Sequence, residues 1–362
     1  MLRFAGWTFL AVLVVVGVWG YFLCVDAGVF LTIPPKAVGF CNPVSSGGVV
    51  GVEDLAVDED TKLAYLSGYD RRASAKGAPV RGAIWVYDLQ QHDAAPVDVT
   101  AGALPNGFLP HGISLFRAPD GKRTLFAVSH AGGKHTIEIF DVDGKTLTHR
   151  RTVSGDALVS PNDVVGVGPD SFYVTNDHAY VSGWMRTAED FGRLRVSTVQ
   201  YFDGKSFATA ITGLGGSNGI NVSSDGKSLY VSAASELTVY VYDRDVLTGV
   251  LTRRGAVKVP GFPDNIDVEA DGDLLVAVHS KVFALLAHAQ DPSKLSPSHI
   301  LLLSADGKGS FTPATVYYNT GEEISGASVA SAYGPAMLIG SIFEHKFLSC
   351  YWKDRPGFDA RD

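Results

Sequence analysis

The chain has 362 residues, 46% hydrophobic and 19% charged, enough apolar material for a large core, which excludes a disordered or low-complexity polypeptide. A formal net charge of -8 and the lack of any dense Lys/Arg cluster exclude nucleic acid as a partner. The 40 glycines and 17 prolines, with recurrent Asp-Gly dipeptides, are turn material and predict an all-β fold with little helix beyond the N-terminus.

From Phe4 to Val25 no residue is charged, and Arg3 is the sole side-chain charge before that run. The run is long enough to span a bilayer. Its exit, Tyr21-Phe22-Leu23-Cys24-Val25-Asp26, offers no small-x-small cleavage site. The expectation is an uncleaved signal-anchor helix over residues 1–25 and one folded domain over residues 26–362. With Arg3 kept on the cytoplasmic side, that domain faces the outside or a lumen. The competing reading is a long signal peptide removed on secretion. Three cysteines are present, Cys24, Cys41 and Cys350. In an oxidising compartment a bond between Cys41 and Cys350 would join the two ends of the folded domain, leaving Cys24 as an apolar residue of the first segment.

Beyond residue 50 one phrase recurs six times, roughly every 55 residues. It begins at Val52-Glu53-Asp54-Leu55, Pro110-His111-Gly112-Ile113, Pro161-Asn162-Asp163-Val164, Ser217-Asn218-Gly219-Ile220, Asp264-Asn265-Ile266-Asp267 and Gly326-Ala327-Ser328-Val329. Most copies lead through a turn, such as Asp120-Gly121 or Asp225-Gly226, into a second apolar strand. Asp-Gly suits a hairpin because glycine accepts positive φ. Each interval holds four strands, and six such units predict a six-bladed β-propeller whose innermost strands line a central channel.

The starts of the inner strands of a propeller meet at one mouth of the channel. There the phrases bring together Glu53, Asn162, Asn218, Asp264 and Asn265, two carboxylates and three amide carbonyls. Hard oxygens in this number suit Ca²⁺, and no Cys or His set with zinc spacing competes. Asp54 and Asp163 are neighbours of ligand candidates and point the other way along their strands. With the backbone carbonyl of Ile113 they predict a second, deeper ion, two per chain. The plainer alternative makes these Asn-Asp pairs turn residues that cap strands; four of six repeats sharing acids or amides at one position weighs against it.

In the second repeat that position is His111, and His130 ends the strand that follows. A histidine held by another imidazole can work as a general base near neutral pH. His178 and His279 end similar second strands and are expected to line the pocket.

Together these residues resemble the serum paraoxonase/arylesterase family over essentially the whole chain. The resemblance implies a calcium-dependent lactonase and arylesterase that takes small lipophilic lactones and esters. It implies a catalytic calcium on Glu53, Asn162, Asn218, Asp264 and Asn265, and a structural calcium on Asp54, Asp163 and Ile113. It also implies a His111–His130 dyad in which His130 orients His111 and shares its positive charge, a Cys41–Cys350 disulfide, and a retained apolar N-terminus at a membrane or lipid surface. The wording departs from the family between Tyr69 and Pro79, where Arg71, Arg72 and Lys76 charge a loop that covers the site in the family. Two other functions compete: a gluconolactonase-like sugar lactonase, and a non-catalytic, calcium-stabilised luminal propeller that binds a partner protein.

Overall fold

The computed structural model describes residues 2–91, 94–102, 104, 107–307, 309–352 and 355, apart from the side chains of residues 2–6, 8 and 9. The repeated phrases form six antiparallel four-stranded sheets, the blades of a propeller. Blade 1 runs outward through Val52–Asp58, Leu63–Gly68, Ala83–Asp88 and Val97–Asp98. Blades 2 to 5 begin at Pro110–Arg117, Pro161–Gly166, Ser217–Val222 and Phe262–Val268, each adding its next three strands in chain order. Blade 6 takes Ala327–Tyr333, Ala336–Ser341 and Phe347–Trp352 from the C-terminal end and its outermost strand, Gly39–Val44, from the N-terminal end.

The second strands read as nearly continuous apolar runs because both faces of every blade are covered by neighbours. Leu63–Gly68, Phe172–Asn176 and Leu274–His279 are buried throughout. The core is therefore six apolar clusters, one between each pair of adjacent blades. Between blades 2 and 3, for example, Phe126, Val128, Phe172 and Phe202 interlock, with the Phe172 and Phe202 rings stacked at 5.1 Å. Each such side chain contributes roughly 1.5–3 kcal/mol by leaving water. This ring of cores leaves the axis to the polar residues of the inner strands.

Closure is covalent as well as hydrogen-bonded. Gly39–Val44 pairs antiparallel with Phe347–Trp352, Cys41 lies directly opposite Cys350, and the two form a disulfide across 309 residues of sequence. Blade 6 thereby covers edges that two free ends would expose.

Among the described residues four α-helices accompany the blades: α1 (Leu2–Asp26), α2 (Arg71–Ala75), α3 (Gly183–Gly192) and α4 (Val282–Gln290). Each of the last three follows the second strand of its blade. Those strands end where the inner strands begin, since Gly68 pairs with Val52, Asn176 with Pro161 and His279 with Phe262. The short helices therefore stand around the mouth where the polar phrases start. The C-terminal end of α1 is pinned to this rim: Asp26 pairs with Arg193 after α3, and Val282 N of α4 donates to Ala27 O at 3.1 Å. Gly28 turns the chain at φ 72°, where a Cβ would collide with Ser280 O. Among the described residues no helix is long and apolar enough to cross a membrane.

Candidate active site

Every inner strand loses register with its second strand at the repeated phrase: between Val52 and Asp54, Pro110 and Ile113, Pro161 and Val164, Ser217 and Ile220, Pro263 and Ile266, and Ala327 and Val329. Such a bulge re-aims side chains. Simple alternation would turn one member of each adjacent pair out of the channel, yet Glu53 with Asp54, Asn162 with Asp163 and Asp264 with Asn265 are all buried. Adjacent inner strands also approach closely through glycine. A Cβ on Gly112 would collide with the Asp163 carboxylate, and one on Gly219 with the backbone of Asp264 and Asn265.

The first oxygen set is buried except for half-buried Asn218. Asn265 Nδ2 donates to Glu53 O at 2.9 Å and to Glu53 Oε1 at 3.1 Å, which ties blade 5 to blade 1 past the inner strand of blade 6. Glu53 Oε2, Asn162 Oδ1, Asn218 Oδ1 and Asn265 Oδ1 are buried and accept no hydrogen bond. An unpaired buried acceptor costs roughly 1–3 kcal/mol, so four of them, from four blades, need another partner. Their chemistry, neutral amide oxygens plus carboxylate, fits a hard cation. Among the described residues no group of three or more His, Cys, Asp or Glu has metal-holding geometry; amides make up the larger part of this set. Asp264 Oδ2 accepts from His279 Nε2 at 2.7 Å, so His279 is a strut behind Asp264 rather than a free pocket wall. Burial pushes the Glu53 carboxyl up, but His111 in front of it, with Arg71 and Asn265, outweighs burial and holds it below the usual range.

Asp54 and Asp163 face a different place. Asp54 accepts from Leu55 N at 2.8 Å and Ile113 N at 2.6 Å, and Asp163 from Val164 N and Ile220 N at 2.7 Å each. With Ile113 they line a channel cavity of about 490 Å³ that none of the first set reaches. Burial, reinforced by the neighbouring carboxylates, pushes both well above the usual range.

Hydroxyls buttress the phrases from the adjoining blade, a feature the sequence reading missed. Ser67 Oγ donates to His111 O at 2.6 Å, Thr175 Oγ1 to Asn218 O, Ser232 Oγ to Asp264 O and Ser328 Oγ to Glu53 O, the last three at 2.7 Å. The available signal was a small hydroxyl residue near the end of an otherwise apolar strand, as in Tyr65-Leu66-Ser67 and Tyr230-Val231-Ser232.

His111 Nδ1 lies 2.9 Å from His130 Nε2, and His111 Nε2 lies 3.4 Å from Glu53 Oε1. A third imidazole, which the repeat did not flag, continues the chain: His135 Nδ1 lies 2.9 Å from His130 Nδ1. Burial, with the neighbouring imidazoles of His111 and His135, pushes His130 down to about 2. His130 is therefore neutral in ordinary buffers, which favours orientation over the expected sharing of charge. His178 is also a strut: Nδ1 lies 2.8 Å from Asp177 Oδ1 and Nε2 lies 2.9 Å from Asp190 Oδ1, joining blade 3 to α3.

The family model described as Arylesterase matches residues 72–352. The chain belongs to the arylesterase family. Bovine (Bos taurus) serum paraoxonase/arylesterase 2 is 32% identical over 306 residues, 83% of this chain and 85% of that one. Serum paraoxonase/lactonase 3 of Oryctolagus cuniculus is 32% identical over 312 residues, 83% and 87% of the two chains. Among solved structures the calcium-binding protein regucalcin of Agrobacterium tumefaciens aligns with TM-score 0.50 at 13% identity, over 87% of this chain and 92% of that one, a likeness of fold alone. Membership of the arylesterase family supports a hydrolase of esters or lactones. The matched segment begins inside α2, so Glu53 and Asp54 precede it.

Proposed function

We propose that this arylesterase-family protein hydrolyses lactones and aryl esters with calcium, water being the nucleophile and His111 the base. The observation that carries the reading is the group of four unpartnered buried oxygens beside a paired histidine. Glu53, Asn162, Asn218, Asp264 and Asn265 would hold one Ca²⁺, and Asp54, Asp163 and the Ile113 carbonyl a second. Bound at the first set, the ion would polarise the ester or lactone carbonyl and stabilise the charge that develops on its oxygen.

The protein's own groups handle the proton. Neutral His130 accepts the Nδ1–H of His111 at Nε2, so in the neutral form of His111 the lone pair sits on Nε2, which faces the oxygen set. His111 Nε2 takes a proton from the attacking water and returns it to the alcohol or phenol as the C–O bond breaks. The remaining His130 Nδ1–H is directed to His135 Nδ1, which fixes the ring of His130.

We also propose that residues 1–25 form a membrane or lipid anchor and residues 26–362 the catalytic domain, held outside the cell or in a lumen. The disulfide supports an oxidising compartment. The end of α1 shares a rim with exposed Val181, Trp184 and Phe191 around α3 and with Phe283 and Leu286 of α4. A rim of that kind rests on a lipid surface and admits lipophilic substrates. The test is a comparison of hydrolysis of an acyl lactone, an aryl ester and a sugar lactone. Turnover of the first two is expected; turnover of the sugar lactone alone would make the protein a sugar lactonase, and turnover of none would favour a binding propeller.

A further inference from the structure

Two consecutive arginines open α2, and their side chains serve different ends. Arg72 Nε and Nη2 donate to His288 O at 3.2 and 2.8 Å, and Nη1 donates to Phe343 O at 2.8 Å. Its guanidinium also lies 5.0 Å over the Phe343 ring, so Arg72 ties α2 to α4 and to the loop before the last strand of blade 6. Arg71 has no comparable anchor. Its Nη1 lies 3.4 Å from Gly51 O, its guanidinium lies 4.4 Å over the Tyr69 ring, and its Nη2 is buried without a hydrogen-bond partner.

The place of this charge is defined. Gly51 precedes the Val52-Glu53-Asp54 phrase, and the guanidinium is close enough to act electrostatically on both Glu53 and His130. Arg71 therefore stands at the mouth, beside the start of the inner strand that carries Glu53. Nearby carboxylates are engaged elsewhere. Asp70 caps α2 by accepting from Ala73 N at 2.9 Å, Glu344 faces His288 at 3.2 Å, and Asp177 faces His178. Glu53 and Asp264 belong to the proposed cation site. A guanidinium stays charged at any working pH, and its planar fork matches a carboxylate. Stacking on Tyr69 holds that plane in place before a ligand arrives.

We infer that Arg71 is a specificity-determining residue that binds a free carboxylate on the substrate, so that the preferred esters and lactones are amphiphilic acids rather than neutral molecules. The inference rests on the hydrolase reading and narrows its substrate class.

The test compares two phenyl esters of equal chain length, monophenyl adipate and phenyl hexanoate. The wild-type protein should favour the adipate. Arg71→Gln should lower kcat/KM for monophenyl adipate about tenfold, mainly through KM, as expected for loss of a charged hydrogen bond. The loss on phenyl hexanoate should be several-fold smaller. Arg71→Lys, which keeps the charge but not the fork, should fall between the two. Equal losses on both esters, or none on either, would overturn the inference.

Calorimetric titration of the same proteins with adipamate, which keeps one free carboxylate, and with neutral hexanamide separates this outcome from failure of the hydrolase reading. If neither ester is hydrolysed, that reading falls. Tighter binding of adipamate than of hexanamide, lost in Arg71→Gln, would still support the carboxylate subsite, and binding indifferent to Arg71 would remove it.

Discussion

The two ring nitrogens of His111 have separate neighbours, His130 on one side and the oxygen set on the other. With His111 as the proposed base, its loss should hurt poor leaving groups most. His111→Gln is expected to lower kcat/KM for a lactone by ~10²- to 10⁴-fold and for an activated aryl ester by much less. Equal losses on both, at matched calcium, would assign His111 to structure or metal holding instead. A second residue gives a pH signature unconnected with catalysis. His299 is fully buried, its Nε2 lies 2.9 Å from Thr315 Oγ1, and burial pushes it down to about 4. In the unfolded chain it titrates near 6.5. Between those values the unfolded state binds more protons than the folded one, so the stabilisation is complete above pH ~6.5 and is lost as pH falls toward 4. The whole interval corresponds to about 3 kcal/mol at most. His299→Phe should flatten that part of the stability–pH curve measured by denaturant unfolding, and an unchanged slope would contradict the assignment. At this scale the sequence was informative only where the repeat pointed. Glu53, Asn162 and Asn218 stood out because unlike residues shared one position, whereas His135 lies outside the phrase, in a turn whose glycines take positive φ.

The elements that carry these residues are irregular, and their irregularity is repeated. A register break at the same point of each inner strand keeps adjacent polar pairs in the channel, and alternation of side chains alone does not foresee it. Two glycines separate close approach from mere flexibility. Gly219→Ala would drive a Cβ into the backbone of Asp264 and Asn265, while a Cβ on Gly255 meets nothing within 4 Å. The first substitution should destabilise by about 1–3 kcal/mol or more and weaken cation binding, and the second should do neither. Equal thermal melts for the two variants would refute the close-packing account. The short helices also escaped the sequence reading. Trp184, Ala188 and Phe191 of α3 do fall at helical spacing, but over only ten residues between two glycines, and the stripe they form faces solvent, Trp184 77% and Phe191 50% exposed.

For the whole molecule, the repeat was long enough and regular enough to reveal six blades, because each blade must bury both faces against its neighbours. It did not reveal which terminal strand completes the ring. The disulfide between directly opposed Cys41 and Cys350 locks that strand in place. Cross-links over ~100 residues contribute up to about 4.7 kcal/mol in the chain-entropy model, so either Cys→Ser substitution should destabilise strongly. The Cys41→Ser/Cys350→Ser double variant should be no worse than the single ones; additive losses in thermal melts would contradict a shared bond.

Fold and proposed chemistry meet in the oxygens left unpartnered at the mouth of the channel, which would hold a calcium ion on which hydrolysis depends. That dependence is tested most directly by the rate of phenyl acetate hydrolysis in excess chelator, followed by back-titration with calcium. The account predicts that the rate falls to background on chelation and returns with added calcium, and that zinc restores it less well because the donors are all oxygens. Full activity in excess chelator would contradict it.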